Sequence, residues 1–400
     1  MKKTLVALAA LAAASAFAQS SVTAYGIVDQ AWQTNSQQSR DGAKNQYAKY
    51  LGAGALAGSR IGFRGTEDLG GGTQAQFLLE QGIEPSVGDG FNTRTSGNGI
   101  ALQSSATLTN NQIRQAYVGL SDKSLGTVRL GRVYGLTYDM FTFNGFIIGE
   151  NAGNGQAGLG ASSRIRGVQY HAPDMGALKL SAAYGGGESN AVSLTGTEAT
   201  VLGKKEAKEE YMAYRAMYTT GALRAGYSYE TLTQSCTANA AVTLATRGGT
   251  FISSVQNIYG GEVIPADCTN TGDAKTKTST LVGAYNFGKA ELIGISSNRD
   301  VGLLTSATES RKQKTNQVTV KVPMGKAEFA YNSYTTTLDN NVAGTRQSNI
   351  KGSYALATYE LSKRTKVYGF TGEDDNTATV TAAAATDKVK RTGVGIFHSF

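Results

Sequence analysis

Among its 400 residues the chain has two histidines, His171 and His398, and two cysteines, Cys236 and Cys268. A Ser-His-Asp centre or a zinc site needs an imidazole beside a nucleophile, an acid or further ligands. His171 falls at a short turn and His398 on the apolar side of the last alternating segment, so no catalytic set and no metal site is expected. Two glycine patterns also fail on context. "GAYNFGKA" has most of a phosphate-binding loop, but Ala290 stands where a hydroxyl is needed and no helix pattern follows. "GNGQAG" (Gly153, Gly155, Gly158) lacks the strand and helix that would frame a dinucleotide site, so no cofactor is expected. What remains is fixed charge: arginines set at alternate positions with glutamines and glutamates, as in "GSRIGFRGTEDLGGGTQAQFLLEQ". Arginine stays protonated and can hold a carboxylate or phosphate through two hydrogen bonds. The basic residues form neither a patch nor a basic helix, so nucleic acid is not an expected partner.

The elements that carry these charges are strands. Ile61 and Phe63 point one way, Arg60, Gly62 and Arg64 the other; after "EDLGGG", Ala75, Phe77 and Leu79 oppose Gln74, Gln76 and Glu80. Side chains alternate between the faces of a strand, so this is a hairpin with one apolar and one polar face. The unit recurs, with turns at Asp122 to Gly126, Pro173 to Gly176, Thr220-Gly221, Gly288, Pro323 to Gly325 and Glu360 to Lys363. With the opening "SVTAYGIVDQAW" and the closing "TGVGIFHSF" the pattern predicts sixteen strands. Between the hairpins lie long polar stretches near 34–57, 84–110, 134–163, 186–209, 232–276, 299–313, 338–347 and 374–388. Short turns at one end and long loops at the other is the resulting asymmetry. The four prolines fall in turns or long stretches, where no ladder hydrogen bond is lost.

Composition agrees: 50 glycines, 20 tyrosines and one tryptophan, with 17% charged residues, suit strands and turns. Residues 1–18 read as a secretory signal peptide: Lys2 and Lys3, an apolar run opening at Leu5, and the Ala16-Phe17-Ala18 cleavage site. A membrane-anchoring helix is the alternative, disfavoured by the short run. Its loss leaves 36 basic against 30 acidic residues, a net +6, on a domain spanning residues 19–400. In that exported context Cys236 and Cys268 are expected to bridge and pin a long polar loop, two free thiols being the other reading. The polar faces carry Arg, Lys, Glu, Gln and Thr, and the apolar faces carry Tyr and Phe near strand ends. Aromatics at two interfaces and a polar interior suit a transmembrane β-barrel. Lipid leaves no backbone group unpaired, so such a sheet must close on itself. That closure gives a reason for the alternation of Val394, Ile396, His398 and Phe400 to run to the last residue.

"SVTAYGIVD", "GSRIGFRGTEDLGGG", "RQAYVGLS", "GTVRLGR", "YDMF", "QYHAP", "AYNFGKAEL", "LSKRTKVYGF" and "GVGIFHSF" together resemble the general porins of Gram-negative β-proteobacteria. The resemblance implies an all-β, 16-stranded antiparallel transmembrane barrel with short periplasmic turns, long extracellular loops and a third loop that constricts the pore. It implies a homotrimer in outer-membrane lipid, passing small anionic or neutral hydrophilic solutes by diffusion, and not an enzyme. It further implies that Phe400, with Ile396 and His398, is the signal read by the barrel-assembly machinery. Carried over by motif, Arg60, Arg114 and Glu80 match wall positions of the constriction and Asp139 an acidic position on the inserted loop. Arg64 and Arg129 share the lumen-facing parity and extend the basic wall. At the end of the third loop Arg164 or Arg166 takes a basic position, and parity does not separate them.

A narrow passage with low-dielectric walls concentrates the field of its fixed charges, so anion preference is expected. Against that stands the plainer reading that the arginines are solvated wall residues paired with Glu80 or Glu67. A channel specific for an organic acid or phosphate is a rival of the same architecture. A surface adhesin acting through the long loops is another, and a barrel enzyme fails for want of a histidine-centred site.

Overall fold

A computed structural model describes residues 21–39, 46–83, 85–87, 113–140, 164–191, 205–238, 272–303, 306–340, 347–379 and 386–400. The strands are β1 (Ser21–Ser39), β2 (Gln46–Ala53), β3 (Arg60–Gly70), β4 (Thr73–Gly82), β5 (Ile113–Asp122) and β6 (Gly126–Tyr134). A short helix α1 (Leu136–Asp139) follows, then β7 (Arg164–His171), β8 (Leu178–Ala191), β9 (Lys205–Thr220), β10 (Leu223–Ala238) and β11 (Gly272–Asn286). The sheet continues with β12 (Glu291–Leu303), β13 (Ser306–Met324), β14 (Ala327–Asn340), β15 (Gln347–Glu360), β16 (Thr365–Thr379) and β17 (Thr386–Ser399). From β3 onward each strand pairs antiparallel with the next, and β17 pairs with β1 from Ile27↔Ser399 upward, closing the barrel. Gly26 and Phe400 exchange two backbone hydrogen bonds of 3.1 Å at the seam.

Seventeen strand segments make sixteen staves. The lower half of β1 pairs with β3 (Ser21↔Thr66 to Ile27↔Arg60) and its upper half with β2 (Gln30↔Ala53 to Gln37↔Gln46). β2 and β3 therefore fill one wall position, interrupted at residues 54–59. The stretch 34–57, expected as loop, thus holds the top of β1 and all of β2. Other stretches shorten in the same way: β13 begins at Ser306 and β16 runs to Thr379. The reason is physical. A span needs only about 9–11 residues, and above it both faces are wet. The apolar alternation that marks a strand in sequence then vanishes while the ladder continues. Lys312 and Lys314 are exposed beside buried Gln313 and Thr315 on such an extension.

Turn chemistry sets the short ends. Asp122 Oδ1 accepts hydrogen bonds from Ser124 N (2.8 Å) and Leu125 N (3.1 Å), folding the β5–β6 turn. Gly126 closes that turn at φ +87°, where a Cβ would stand 2.3 Å from the His171 carbonyl. The "GAYNFGKA" pattern forms the β11–β12 turn, with Asn286 Oδ1 accepting Gly288 N. Pro323, expected in a turn, is instead the second-last residue of β13, paired with Glu328.

Trp32, Leu79, Val118, Leu281, Val394 and Ile396 lie exposed on the outer face, the surface that lipid covers. Val118→Arg is expected to destabilise the barrel by about 2–4 kcal/mol, the cost of a cation near the bilayer midplane. Urea titration of protein folded into lipid vesicles measures this, and an unchanged midpoint would put Val118 outside the lipid-covered band.

Candidate functional site: an arginine wall inside the barrel

The lumen face of β1, β3 and β4 is built around Glu80. Tyr25, Gly62 and Glu80 are consecutive cross-strand partners, and Gly62 leaves room for the Tyr25 ring. The Tyr25 hydroxyl donates to Glu80 Oε2 at 2.9 Å. Arg60 Nη1 lies 3.7 Å from Glu80 Oε1, and Arg60 Nε donates to the Gly58 carbonyl at 3.0 Å. Arg64 spreads its guanidinium over the Tyr25 ring, 5.3 Å from the centroid. Phe63 and Leu79 point outward, as the alternation predicts.

Arg114 reaches the same carboxylate by a break in the ladder. Glu80 pairs with Gln115 but Gln81 with Ile113, so Arg114 is an extra residue in β5. Strict alternation would set it on the outer side with Val118; the bulge turns it inward, where it is buried. Arg114 Nε donates to Glu80 Oε1 at 2.9 Å and Nη2 to the Tyr134 hydroxyl at 2.7 Å. That hydroxyl donates to Glu80 Oε1 at 3.2 Å. The guanidiniums of Arg114 and Arg164 lie 5.8 and 5.5 Å from the Tyr134 ring centroid, and Tyr138 stacks on that ring at 4.9 Å. Arg129 stacks over Tyr117 at 5.0 Å. Arg166 is exposed and cross-strand from Arg132, away from this cluster. Glu67 is exposed and, among the described residues, pairs with none of these arginines.

Sequence reasoning brought forward Arg60, Arg64, Glu80, Arg114, Arg129 and Arg164, and the fold brings them to one side of the lumen. It missed Tyr25, Tyr117 and Tyr134, whose rings hold the guanidiniums. Tyr25 was within reach, since it shares its parity with Asp29 in "SVTAYGIVD". Tyr134 was not, because its position at the end of β6 is what turns its hydroxyl to Glu80.

The far wall receives the start of the third long stretch. Leu136 packs among Tyr211, Ala213, Ala183 and Ile165. Met140 packs against Val282, Ala284, Ile293 and Ile295, all on inner faces. The chain therefore enters the barrel directly after β6. Asp139 is the last residue of α1; its side chain, residues 141–163 and residues 1–20 lie outside the described residues. Cys236 is on β10, and Cys268 lies outside the described residues. A second buried charge pair, Arg391 Nη1 to Asp374 Oδ2 at 2.8 Å, is internally neutral and closed by the hydroxyls of Tyr354 and Tyr334. His398 bonds Thr365 Oγ1 at 2.9 Å on the outer face, while Ile396 and Phe400 are exposed beside it.

A family model described as Gram-negative porin matches residues 4–379. An outer membrane porin protein of Bordetella pertussis is 30% identical over the full length of both chains. Outer membrane porin protein 32 of Delftia acidovorans is 30% identical, covering 92% of this chain and 88% of its own. Among solved structures, an anion-selective porin from Comamonas acidovorans superposes with a TM-score of 0.64 at 23% identity, over 96% of this chain and 100% of that one.

Proposed function

Because the chain belongs to the family of Gram-negative porins, we propose that its pore prefers anions and that the arginine wall sets the preference. The protein is an outer-membrane porin, a water-filled channel for passive diffusion of small hydrophilic solutes. One observation carries the anion reading: five guanidiniums gather on one side of the lumen, Arg60 and Arg114 against Glu80 and Arg64, Arg129 and Arg164 over the rings of Tyr25, Tyr117 and Tyr134. The guanidiniums of Arg64, Arg114, Arg129 and Arg164 are held on tyrosine rings and Arg60 on the Gly58 carbonyl, so little side-chain entropy is lost when an anion passes. Low-dielectric walls then focus the surplus positive field on the opening. The anion selectivity named for the Comamonas protein supports the same direction. In this reading Asp139 and the rest of the third loop narrow the passage, and Arg164 rather than Arg166 takes the basic position, supported by its stack on Tyr134. The same reading makes the barrel one subunit of a homotrimer, removes residues 1–18 on export, and gives Phe400 to the assembly machinery as its recognition residue.

Purified protein in a planar bilayer under a KCl gradient is expected to give stepwise conductance with a reversal potential of anion-selective sign. Steps with a cation-selective sign would keep the channel and overturn the role of the wall.

A further inference from the structure

Where the wall leaves the ladder between β2 and β3, residues 54–59 fold into the lumen as a shelf resting on Asp29. Asp29 lies on the inner face of β1 and has no exposed surface. Its Oδ2 accepts Leu56 N at 2.8 Å and Ala57 N at 2.7 Å. Its Oδ1 accepts the Tyr368 hydroxyl at 2.6 Å, and that hydroxyl accepts Ala55 N at 2.8 Å. Gly54 N donates to the Asp29 carbonyl at 2.8 Å, and Ser59 Oγ accepts Asp29 N at 3.0 Å. A Cβ on Gly54 would stand 1.8 Å from Asp29 Oδ1, so the shelf backbone lies directly on the carboxylate. Ala55 packs with Ala31, Tyr354, Tyr368 and Phe370 on the lumen side of the wall. The shelf then hands its geometry onward: the Gly58 carbonyl accepts Arg60 Nε, and Arg60 Nη1 faces Glu80.

We propose that Asp29 is a positioning residue of the pore, holding the 54–59 shelf so that the Gly58 carbonyl aims Arg60 into the opening. The proposal rests on Arg60 acting as a wall charge. An arginine side chain is otherwise among the most mobile. Anchoring Nε to a fixed carbonyl removes most of that freedom and leaves the two terminal nitrogens to face the passage. Asp29 suits the anchor because a carboxylate accepts several hydrogen bonds at once, and charge-assisted bonds to backbone N–H are among the stronger ones. Asp29 and Tyr368 come from opposite ends of the chain, so the shelf forms only once the barrel has closed.

The sign of one substitution separates this from a simple charge effect. Removing a lumen carboxylate should by Coulomb's law alone raise anion preference. Loss of the shelf should lower it, because Arg60 loses its aim. Asp29→Ala and Tyr368→Phe are compared with Arg60→Ala for reversal potential under a KCl gradient, each alone and in the Arg60→Ala background. The expected result is that Asp29→Ala moves the reversal potential toward zero by most of the change that Arg60→Ala produces. Asp29→Asn should recover part of the loss, and neither Asp29→Ala nor Tyr368→Phe should add a further shift once Arg60 is gone. A shift away from zero, or one that adds in full to Arg60→Ala, would overturn the proposal. Should Asp29→Ala not assemble, Tyr368→Phe decides the matter: a shift toward zero that vanishes in the Arg60→Ala background supports it, and no shift overturns it. If the unsubstituted channel is not anion-selective, the preference fails separately; the positioning role of Asp29 stands if Asp29→Ala moves the potential as Arg60→Ala does, and falls otherwise.

Discussion

Arg114→Ala channels are expected to lose roughly fivefold in anion-to-cation permeability ratio, the largest selectivity change among single arginine substitutions in the wall. The figure follows from screening in water. One charge roughly 8 Å from a passing ion is worth about 0.5 kcal/mol, with opposite sign for anion and cation, so the difference is about 1 kcal/mol. Arg114 has a second effect that Arg64 and Arg129 lack. It covers Glu80 at 2.9 Å, and its removal uncovers that carboxylate to the lumen. Arg60 is 3.7 Å from the same oxygen, and its loss leaves Arg114 in place, so Arg60→Ala should give a smaller shift. Reversal potentials of the two variants in matched KCl gradients rank them; equal shifts would mean that Glu80 is not masked by Arg114.

Glu80→Ala is expected to weaken the folded barrel by about 3–5 kcal/mol, the usual result of stripping one partner from a buried ion pair. The side chains of Glu80 and Arg114 are 4% and 7% exposed. Without the carboxylate, Arg114 Nε and the hydroxyls of Tyr25 and Tyr134 lose their acceptor together. Glu80→Gln keeps the shape and one acceptor oxygen and should lose clearly less. Unfolding midpoints of lipid-reconstituted protein measure the pair. The surviving fraction of Glu80→Ala should be more anion-selective than the parent, opposite in sign to Arg114→Ala. A Glu80→Ala barrel of parental stability would show that water, rather than Glu80, satisfies Arg114.

Individual residues show which parts of this arrangement were legible beforehand. Phe63 outward with Arg60 and Arg64 inward, and Leu79 outward with Glu80 inward, follow from period-two alternation and hold in the structure. The short turns were legible too, because Gly and Asx residues mark them. Resemblance alone places Arg114 on the wall, because its inward orientation depends on a bulge that breaks the alternation. The strand at Gln46–Ala53 carries no apolar alternation in sequence, because Lys49 separates Tyr47 and Leu51 on its outer side. The shelf at 54–59 carried no signal, since its bonds go to Asp29 and to Tyr368, 339 residues further along than Asp29.

Along the regular strands, which residues face lipid and which face water was settled by the order of residue types, because a strand's side chains alternate and a bilayer penalises every polar group on the wrong side. The same order settled that the sheet must close. Which inward groups meet was decided only by the closed barrel. Register, one extra residue in β5 and the pairing of β17 with β1 bring Glu80 to Arg114 and Asp29 to Tyr368. These contacts depend on relative strand position across the whole circumference, and no local run of sequence encodes that.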